Sequence, residues 1–119
     1  MSFSWKDAIA ELESRRAAAM LGGGEAAIAK QHGKGKLTAR ERIGRLIDGE
    51  SWREIGTLAK YHRYDPFGTK IGETPSSFIS GLAKVDGRPV AVGANDYTVS
   101  GGTTTVYLER AKGELGGFV

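Results

Sequence analysis

A helix start at Thr38 is the feature of this 119-residue sequence that most constrains its fold. Thr38 and Glu41 match the Thr-x-x-Glu capping box, in which the threonine hydroxyl accepts a hydrogen bond from the third helical amide and the glutamate reaches back to the cap amide. The helix that follows places three apolar residues on one face: Ile43, Leu46 and Ile47. Gly49 is predicted to end it.

Two more helices are predicted before Thr38. Residues 4–20 indicate an amphipathic helix with Ser4 as its N-cap, because apolar residues recur there at helical spacing. These residues are Trp5, Ile9, Leu12, Ala19 and Met20. Gly22-Gly23-Gly24 ends that helix, and a shorter one over residues 25–31 runs to Gly33, which we expect to be its C-terminal glycine.

The second half of the chain favours strands. Residues 78–85 and 88–94 flank Asp86-Gly87, a strong signal for a tight β-hairpin turn. Part of residues 52–59 is predicted to be a short strand or extended segment. Residues 60–77 are polar, contain glycines and prolines, and are predicted to form a long loop of the kind that is usually functional or packed on a partner. A Thr-capped helix is predicted over residues 103–115.

The predicted fold class is therefore α+β, with N-terminal helices followed by a β-hairpin and a helix. One antiparallel pair with a few helices gives a thin core, and unpaired sheet edges need covering. The chain is expected to be an incomplete domain. It has no cysteine, no apolar run near the roughly 20 residues of a membrane span and no signal-peptide core, so we expect a cytoplasmic protein without membrane attachment.

Positive charge is concentrated around the start of the third helix. Residues 30–45 hold six Lys or Arg and one acidic residue, although the net charge of the whole chain is only +3. Cations and exposed amides at a helix start suit a phosphate group, and Lys34, Lys36 and Arg40 are the candidate ligands. The alternative interpretation is a solvated helix face that keeps the surface soluble.

Known nucleotide-binding motifs do not explain this segment. Gly33-Lys34-Gly35-Lys36 lacks the first glycine of a phosphate-binding loop and the Ser or Thr after its lysine. Gly22-x-Gly24-x-x-Ala27 follows a helix, whereas the dinucleotide fingerprint must follow a strand. The two histidines, His32 and His62, have no neighbouring ligand set, so no metal site is predicted.

A second candidate site is the turn that ends the last predicted strand, at residues 97–103. A strand that ends in two glycines before a Thr-capped helix exposes consecutive backbone amides, and such amides can stabilise a developing oxyanion. The amides of Gly102 and Thr103 are the candidate donors. The alternative is a tight turn whose glycines only provide positive φ angles.

Three stretches resemble, in order, the carboxyltransferase subunit of biotin-dependent acyl-CoA carboxylases, the propionyl-, methylcrotonyl- and acetyl-CoA carboxylase family. The first is the Gly-Gly-Gly turn with residues 31–48, similar to the family's opening "GGG … HxxGKLTARERI … LxD". The second is residues 81–90, similar to its "GxGx[IV][ND]GRxV" hairpin. The third is residues 95–103, similar to "D[FY]TVxGGS", with Thr103 in place of the usual serine.

The resemblance implies the start of a ClpP/crotonase-like domain, with residues 1–49 as a helical segment and residues 50–119 as the beginning of a truncated carboxyltransferase domain. It implies transfer of a carboxyl group from carboxybiotin to the α-carbon of an acyl-CoA. Lys34, Lys36, Arg40 and Gly101 would then bind the coenzyme A moiety, and the amides of Gly102 and Thr103 would face the thioester enolate.

The same resemblance implies partners. Biotin would arrive on a carrier domain of a biotin carboxylase or biotin carrier subunit, and this chain would need the remainder of its subunit or homo-oligomer to be active. The alternative is a small basic binding or assembly module without catalysis. Nucleic acid is not expected, because the aromatic residues are not interleaved with the basic cluster.

Overall fold

The computed structural model describes residues 2–102, where three helices precede five strands and a final turn. The helices are α1 (Trp5–Met20), α2 (Glu25–Gly33) and α3 (Ala39–Leu46). The strands are β1 (Arg53–Ile55), β2 (Lys60–Tyr64), β3 (Lys70–Pro75), β4 (Phe78–Val85) and β5 (Arg88–Asn95), and a 3₁₀ turn spans Ser100–Gly102. The α+β prediction is confirmed. The helix predicted over residues 103–115 lies outside the described residues.

The two side-chain caps predicted within residues 2–102 are present. Ser4 accepts a hydrogen bond from the amide of Asp7, at 3.4 Å, at the start of α1. The capping box of α3 is complete, because the Glu41 amide donates to Thr38 Oγ1 and the Thr38 amide donates to Glu41 Oε1, each at 3.2 Å. Local sequence therefore determines where these two helices begin.

The end of α3 differs from the prediction, since the helix stops at Leu46 rather than at Gly49. Ile47 already has an extended backbone, with φ −91° and ψ 159°. The next residue, Asp48, donates its amide to the Lys84 carbonyl of β4 at 2.8 Å. Pairing with the sheet therefore ends the helix before its glycine is reached.

Gly35, and not Gly33, provides the glycine that ends α2. Gly33 is the last helical residue, whereas Gly35 has a φ of +71°. The amide of Lys36 donates to the Gln31 carbonyl at 3.2 Å and that of Gly35 to the His32 carbonyl at 2.8 Å. This is a Schellman motif, in which the residue after the C-cap must take a left-handed conformation.

The main sheet has the strand order β1-β4-β5, and all of its pairs are antiparallel. The β4–β5 hairpin turns at Asp86 and Gly87, whose φ angles of 51° and 77° are both positive, as a two-residue type I′ turn requires. The predicted hairpin is confirmed. The strand predicted within residues 52–59 is also confirmed, as β1.

The prediction of a long loop over residues 60–77 is wrong, because β2 and β3 form a separate two-stranded hairpin there. Asp65 organises the connection: its Oδ1 accepts from the amides of Phe67 and Thr69 at 2.8 and 2.9 Å. Gly68 follows the turn with a φ of +83°. The strands are mostly exposed on both faces, so the alternation of buried and exposed residues that marks a strand is missing.

The core lies between α3 and the β4–β5 hairpin. Its buried residues are Ala39, Ile43, Ile79, Ala83 and Val92. The predicted apolar face of α1 does not join this core, since α1 has no buried residue and the side chain of Trp5 is 75% exposed. Among residues 2–102, no helix is long and apolar enough to cross a membrane.

Candidate functional site

A cavity of about 450 Å³ lies between the start of α3 and the turn that follows β5. One wall carries Lys36, Thr38 and Arg42, and the other consists of residues 94–98. Two cations therefore face a wall of polar groups and one aromatic ring, that of Tyr97. Such a combination is suited to an anionic ligand with a planar part.

The wall that carries the cations is held by the end of α2. Gln31 is buried, and its side-chain amide donates to the Leu37 carbonyl at 3.1 Å. The Schellman motif at Gly35 reverses the chain just before this point, so residues 34–37 are anchored at both ends. Lys34 Nζ lies 5.9 Å from the centroid of the Tyr97 ring, in the range of a cation–π contact between the two walls.

The opposite wall is organised by the buried side chain of Asp96. Its Oδ1 accepts from the amide of Thr98 at 3.0 Å and from the hydroxyl of Thr98 at 2.6 Å. The Asp96 amide donates to the Ser77 carbonyl at 2.6 Å, and the Asp96 carbonyl accepts from Val99. These bonds hold the turn after β5 in one shape.

The Gly-Gly-Gly turn between α1 and α2 packs directly against this second wall. Gly23 donates its amide to Thr98 Oγ1, and a Cβ atom on Gly22 would lie 2.5 Å from Asp96 Oδ2. From the sequence, these glycines are predicted to end α1 and form part of the first resemblance segment, with no tertiary contact predicted for them. Their close approach to residues that lie more than 70 positions later could not be read from the local pattern.

Of the three predicted cationic ligands only Lys36 lines the cavity, whereas Lys34 contacts the Tyr97 ring and Arg40 is placed differently. Its guanidinium forms a bidentate ion pair with Glu54, with nitrogen–oxygen distances of 2.5 and 3.2 Å, and does not line the cavity. Trp52 also donates its indole N–H to Glu54, at 3.4 Å. The observed contacts of Arg40 are therefore those of a residue that joins α3 to β1.

Arg42 lines the cavity but was not among the predicted ligands. It lies four residues after Thr38 and three after Ala39, and residues at these spacings share one face of a helix. That spacing was the signal in the sequence that could have identified it.

The glycine turn takes the left-handed conformation that two glycines allow. The φ angles are 47° at Ser100, 64° at Gly101 and 75° at Gly102. The Gly102 amide donates to the Val99 carbonyl at 2.8 Å, so this donor is engaged inside the turn. Thr103 lies outside the described residues, and the oxyanion role of Gly102 and Thr103 stays a prediction.

A hydrogen bond between two side chains at the start of α3 lowers the pKa of a carboxyl group. His32 Nε2 lies 2.6 Å from Glu41 Oε1, and this hydrogen bond, together with those to Thr38, lowers the pKa of Glu41 from 4.5 to about 2. Glu41 is therefore an anion at neutral pH and does not compete for the role of a proton donor. Within residues 2–102, no group of three or more His, Asp or Glu side chains could hold a metal ion.

Comparison with known proteins gives consistent matches. Residues 30–111 match the family described as carboxyl transferase domain. The carboxyltransferase subunit of propionyl-CoA carboxylase from Haloferax mediterranei is 46% identical over 107 residues, which make up 88% of this chain and 20% of that protein. The methylmalonyl-CoA carboxyltransferase 12S subunit of Propionibacterium freudenreichii subsp. shermanii is 38% identical over 96 residues, 80% of this chain and 18% of that subunit.

Solved structures give the same result. A transcarboxylase 12S structure with methylmalonyl-coenzyme A and methylmalonic acid bound superposes with a TM-score of 0.83 and 33% identity, covering 97% of this chain and 22% of that one. A single-chain, multi-domain long-chain acyl-CoA carboxylase gives a TM-score of 0.81 and 27% identity, and the match covers 98% of this chain and 12% of that one.

The predicted crotonase-like α+β fold is thereby confirmed, and the chain spans about a fifth of the length of the relatives it matches. The sequence resemblance is confirmed as well, because the family match covers well over half of the chain. The chain belongs to the carboxyl transferase domain family.

Proposed function

We propose that this chain is the N-terminal part of an acyl-CoA carboxylase carboxyltransferase subunit, which transfers a carboxyl group from carboxybiotin to the α-carbon of an acyl-CoA. The chemistry of carboxybiotin is to supply the carboxyl group. The residues of this chain bind and orient the acyl-CoA, and transfer requires the rest of such a subunit. Support comes from relatives named as a propionyl-CoA carboxylase subunit and as a biotin-dependent acetyl-/propionyl-coenzyme A carboxylase subunit, which this chain matches over about a fifth of their length.

One observation carries the proposal for this part of the subunit. The first and third of the segments that resemble the family meet around the cavity of Lys36 and Arg42, and the Gly-Gly-Gly turn packs against the wall that Asp96 and Thr98 help to form. Coenzyme A carries a 3′-phosphate and a pyrophosphate, and a lysine and an arginine that face one cavity fit such groups. Lys34, whose Nζ contacts the Tyr97 ring that lines the cavity, is kept as a further proposed ligand.

Two of the predicted site residues, Arg40 and Gly102, would have to change their contacts in order to bind the acyl-CoA. Arg40 would have to leave Glu54 to reach a phosphate, so we propose Arg42 in its place. Gly101 is exposed in the turn beyond Tyr97 and stays a predicted coenzyme A contact. The amides of Gly102 and Thr103 stay predicted enolate donors, and Gly102 would need to release the Val99 carbonyl.

The proposed setting follows from the same reaction. The partners are the remainder of the carboxyltransferase subunit or its homo-oligomer and a biotin carboxylase or biotin carrier subunit, in the cytoplasm. We keep the division into a helical segment, residues 1–49, and the start of the catalytic domain, residues 50–119, as part of the proposal. The family match begins at residue 30, inside that helical segment.

A chimera tests the proposal. The matching N-terminal region of the Haloferax mediterranei relative is replaced by this chain, and carboxyl transfer to propionyl-CoA is measured with its biotin-carrying partner. We expect an active chimera. Lys36→Glu and Arg42→Glu should each raise KM for the acyl-CoA about tenfold or more, since a lost charge-assisted hydrogen bond is worth roughly 1.5–3 kcal/mol. Lys84→Glu, an exposed lysine of β4 outside the cavity, is the control.

The outcomes separate the two candidate functions. A chimera that assembles like its parent but transfers no carboxyl group overturns the proposal. An active chimera whose KM is unchanged by Lys36→Glu and Arg42→Glu favours the alternative, an assembly module without a direct role in substrate binding. That alternative is supported by exposed apolar side chains on α1 and on the β2–β3 hairpin, such as Trp5, Tyr61 and Phe67.

A further inference from the structure

A second cavity, distinct from the first, lies between α1 and the β2–β3 hairpin. It measures about 310 Å³ and shares no residue with the cavity at Lys36. Its polar lining consists of Arg15, Lys60, His62, Lys70 and Glu73. Its volume falls at the lower end of the roughly 300–1,000 Å³ that is typical of small-ligand sites.

The charges in this cavity are unbalanced. Three permanent cations and one carboxylate line it, which leaves a formal charge of +2 with His62 neutral. Glu73 is the centre of the group, because it pairs with Lys60 at 2.7 Å, with Lys70, and with His62 Nδ1 at 3.7 Å. One carboxylate neutralises only one of the three permanent positive charges.

The strands determine this arrangement. His62 lies directly opposite Glu73 in the β2–β3 register, and Lys60 is two residues before His62, so their side chains project from the same face of the hairpin. Arg15 reaches the cavity from α1 while its Nη2 pairs with Glu11 at 2.5 Å. Each lysine ammonium has three N–H donors and gives one to Glu73, so donors remain for a ligand.

The pKa of Glu73 agrees with a strongly positive site. Its hydrogen bonds to Lys60 and Lys70 lower that pKa from 4.5 to about 2. The same two ammonium groups attract a further anion, with which Glu73 competes.

We propose that this cavity is an anion site for a phosphate-bearing small molecule, with Lys60, Lys70 and Arg15 as its ligands and His62 as an additional donor. The hydrogen bonds that stabilise the Glu73 carboxylate are of the kind that phosphate oxygens accept, and guanidinium and ammonium groups together hold both a terminal and a bridging phosphate. The ligand shares the cations with Glu73, which limits its affinity.

The test is calorimetric titration of the full chain with inorganic pyrophosphate, with amide NMR shifts to locate the site. Lys60→Gln combined with Lys70→Gln should weaken binding at least tenfold, and Lys84→Gln, a lysine on β4 outside this cavity, should change it less than twofold. Glu73→Gln removes the competing negative charge but keeps the shape of the side chain, and should tighten binding about threefold or more. A misfolded hairpin would not produce such a gain.

Each of these measurements either supports or overturns the proposed anion site. The proposal is overturned if pyrophosphate shifts the amides around Lys36 instead of those of the hairpin, if the control lysine matters as much as Lys60 and Lys70, or if Glu73→Gln does not tighten binding. A parallel titration with coenzyme A identifies the source of the phosphate. Tighter binding of pyrophosphate supports a free anion at this site, and tighter binding of coenzyme A at the hairpin amides supports a phosphate carried by a larger molecule.

Discussion

The amide of Gly23 donates a hydrogen bond of 3.1 Å to Thr98 Oγ1, across 75 residues of sequence. The two residues approach so closely that a Cβ atom on Gly23 would lie 1.7 Å from the Thr98 carbonyl oxygen. Because that oxygen belongs to the backbone, it cannot move aside as the end of a flexible side chain could. The contact joins the Gly-Gly-Gly turn to the second wall of the cavity at Lys36.

The first prediction is that Gly23→Ala destabilises the fold by roughly 3 kcal/mol, near the upper end of overpacking costs. Urea unfolding measures this change. Gly44→Ala is the matched control, since Gly44 lies inside α3 and an added Cβ there meets nothing within 4 Å. The control should stabilise the protein by about 0.5–1 kcal/mol, because alanine is the better helix former. Equal effects of the two substitutions would contradict the close approach.

The second prediction concerns Asp48, which lies between α3 and β1. Its carboxylate oxygens accept from the turn amides of Asp86 and Gly87 at 2.9 and 2.8 Å, so it links the first resemblance segment to the second. Asp48→Ala should destabilise the protein by roughly 2 kcal/mol, and Asp48→Asn, which keeps one acceptor oxygen, by less. Hydrogen exchange of the Asp86 and Gly87 amides checks the mechanism: faster exchange in Asp48→Ala is expected, and unchanged exchange would exclude it.

Sequence reasoning worked where the decisive contacts are local. The capping box at Thr38 and the turn at Asp86-Gly87 depend on residues within four positions of one another, so their types alone predict the structure. The end of α3 was misplaced because its cause, the Lys84 carbonyl, lies on a distant strand. The β2–β3 hairpin was missed because its strands are exposed on both faces and leave no hydrophobic alternation.

The residues of the candidate site also divide into those that local sequence predicts and those that only the fold brings together. Lys36 could be predicted from the concentration of charge before α3, and it does line the cavity. The opposite wall, around Asp96 and Thr98, lies 60 or more residues later in the chain and meets Lys36 only through the fold. Composition alone does not separate Arg40 from Arg42, whereas helical spacing from Thr38 favours Arg42, and the pairing of Arg40 with Glu54 accounts for its absence from the cavity wall.

The third prediction uses the pair of Arg40 and Glu54. The Glu54 side chain is 8% exposed and that of Arg40 is 24% exposed, so the loss of one partner leaves a largely buried charge without its counterion. Glu54→Gln should destabilise the protein by roughly 3 kcal/mol, whereas Arg40→Met combined with Glu54→Leu should come close to the wild type. Chemical unfolding of Arg40→Met, of Glu54→Leu and of the two combined gives the coupling energy of the cycle.

The double variant also separates structure from ligand binding. If Arg40 acts only through Glu54, Arg40→Met combined with Glu54→Leu leaves the affinity for acyl-CoA in the chimera unchanged. A KM that rises as much as in Lys36→Glu would instead assign Arg40 to the coenzyme site.

The last prediction follows from the pKa of Glu41. Because the folded protein lowers this pKa from 4.5 to about 2, Glu41 stabilises the fold fully above pH 4.5 and loses that contribution as the pH falls from 4.5 towards 2. The largest cause is the hydrogen bond from His32, so His32→Ala should raise the pKa of Glu41 part of the way back to 4.5, while the Thr38 bonds keep it below that value. Carboxyl ¹³C NMR titration measures the shift.

Glu73, whose low pKa depends on Lys60 and Lys70, is the internal reference and should titrate unchanged. If Glu41 titrates identically in the wild type and in His32→Ala, the contact of 2.6 Å between these side chains does not persist in solution, and the capping box alone stabilises the start of α3.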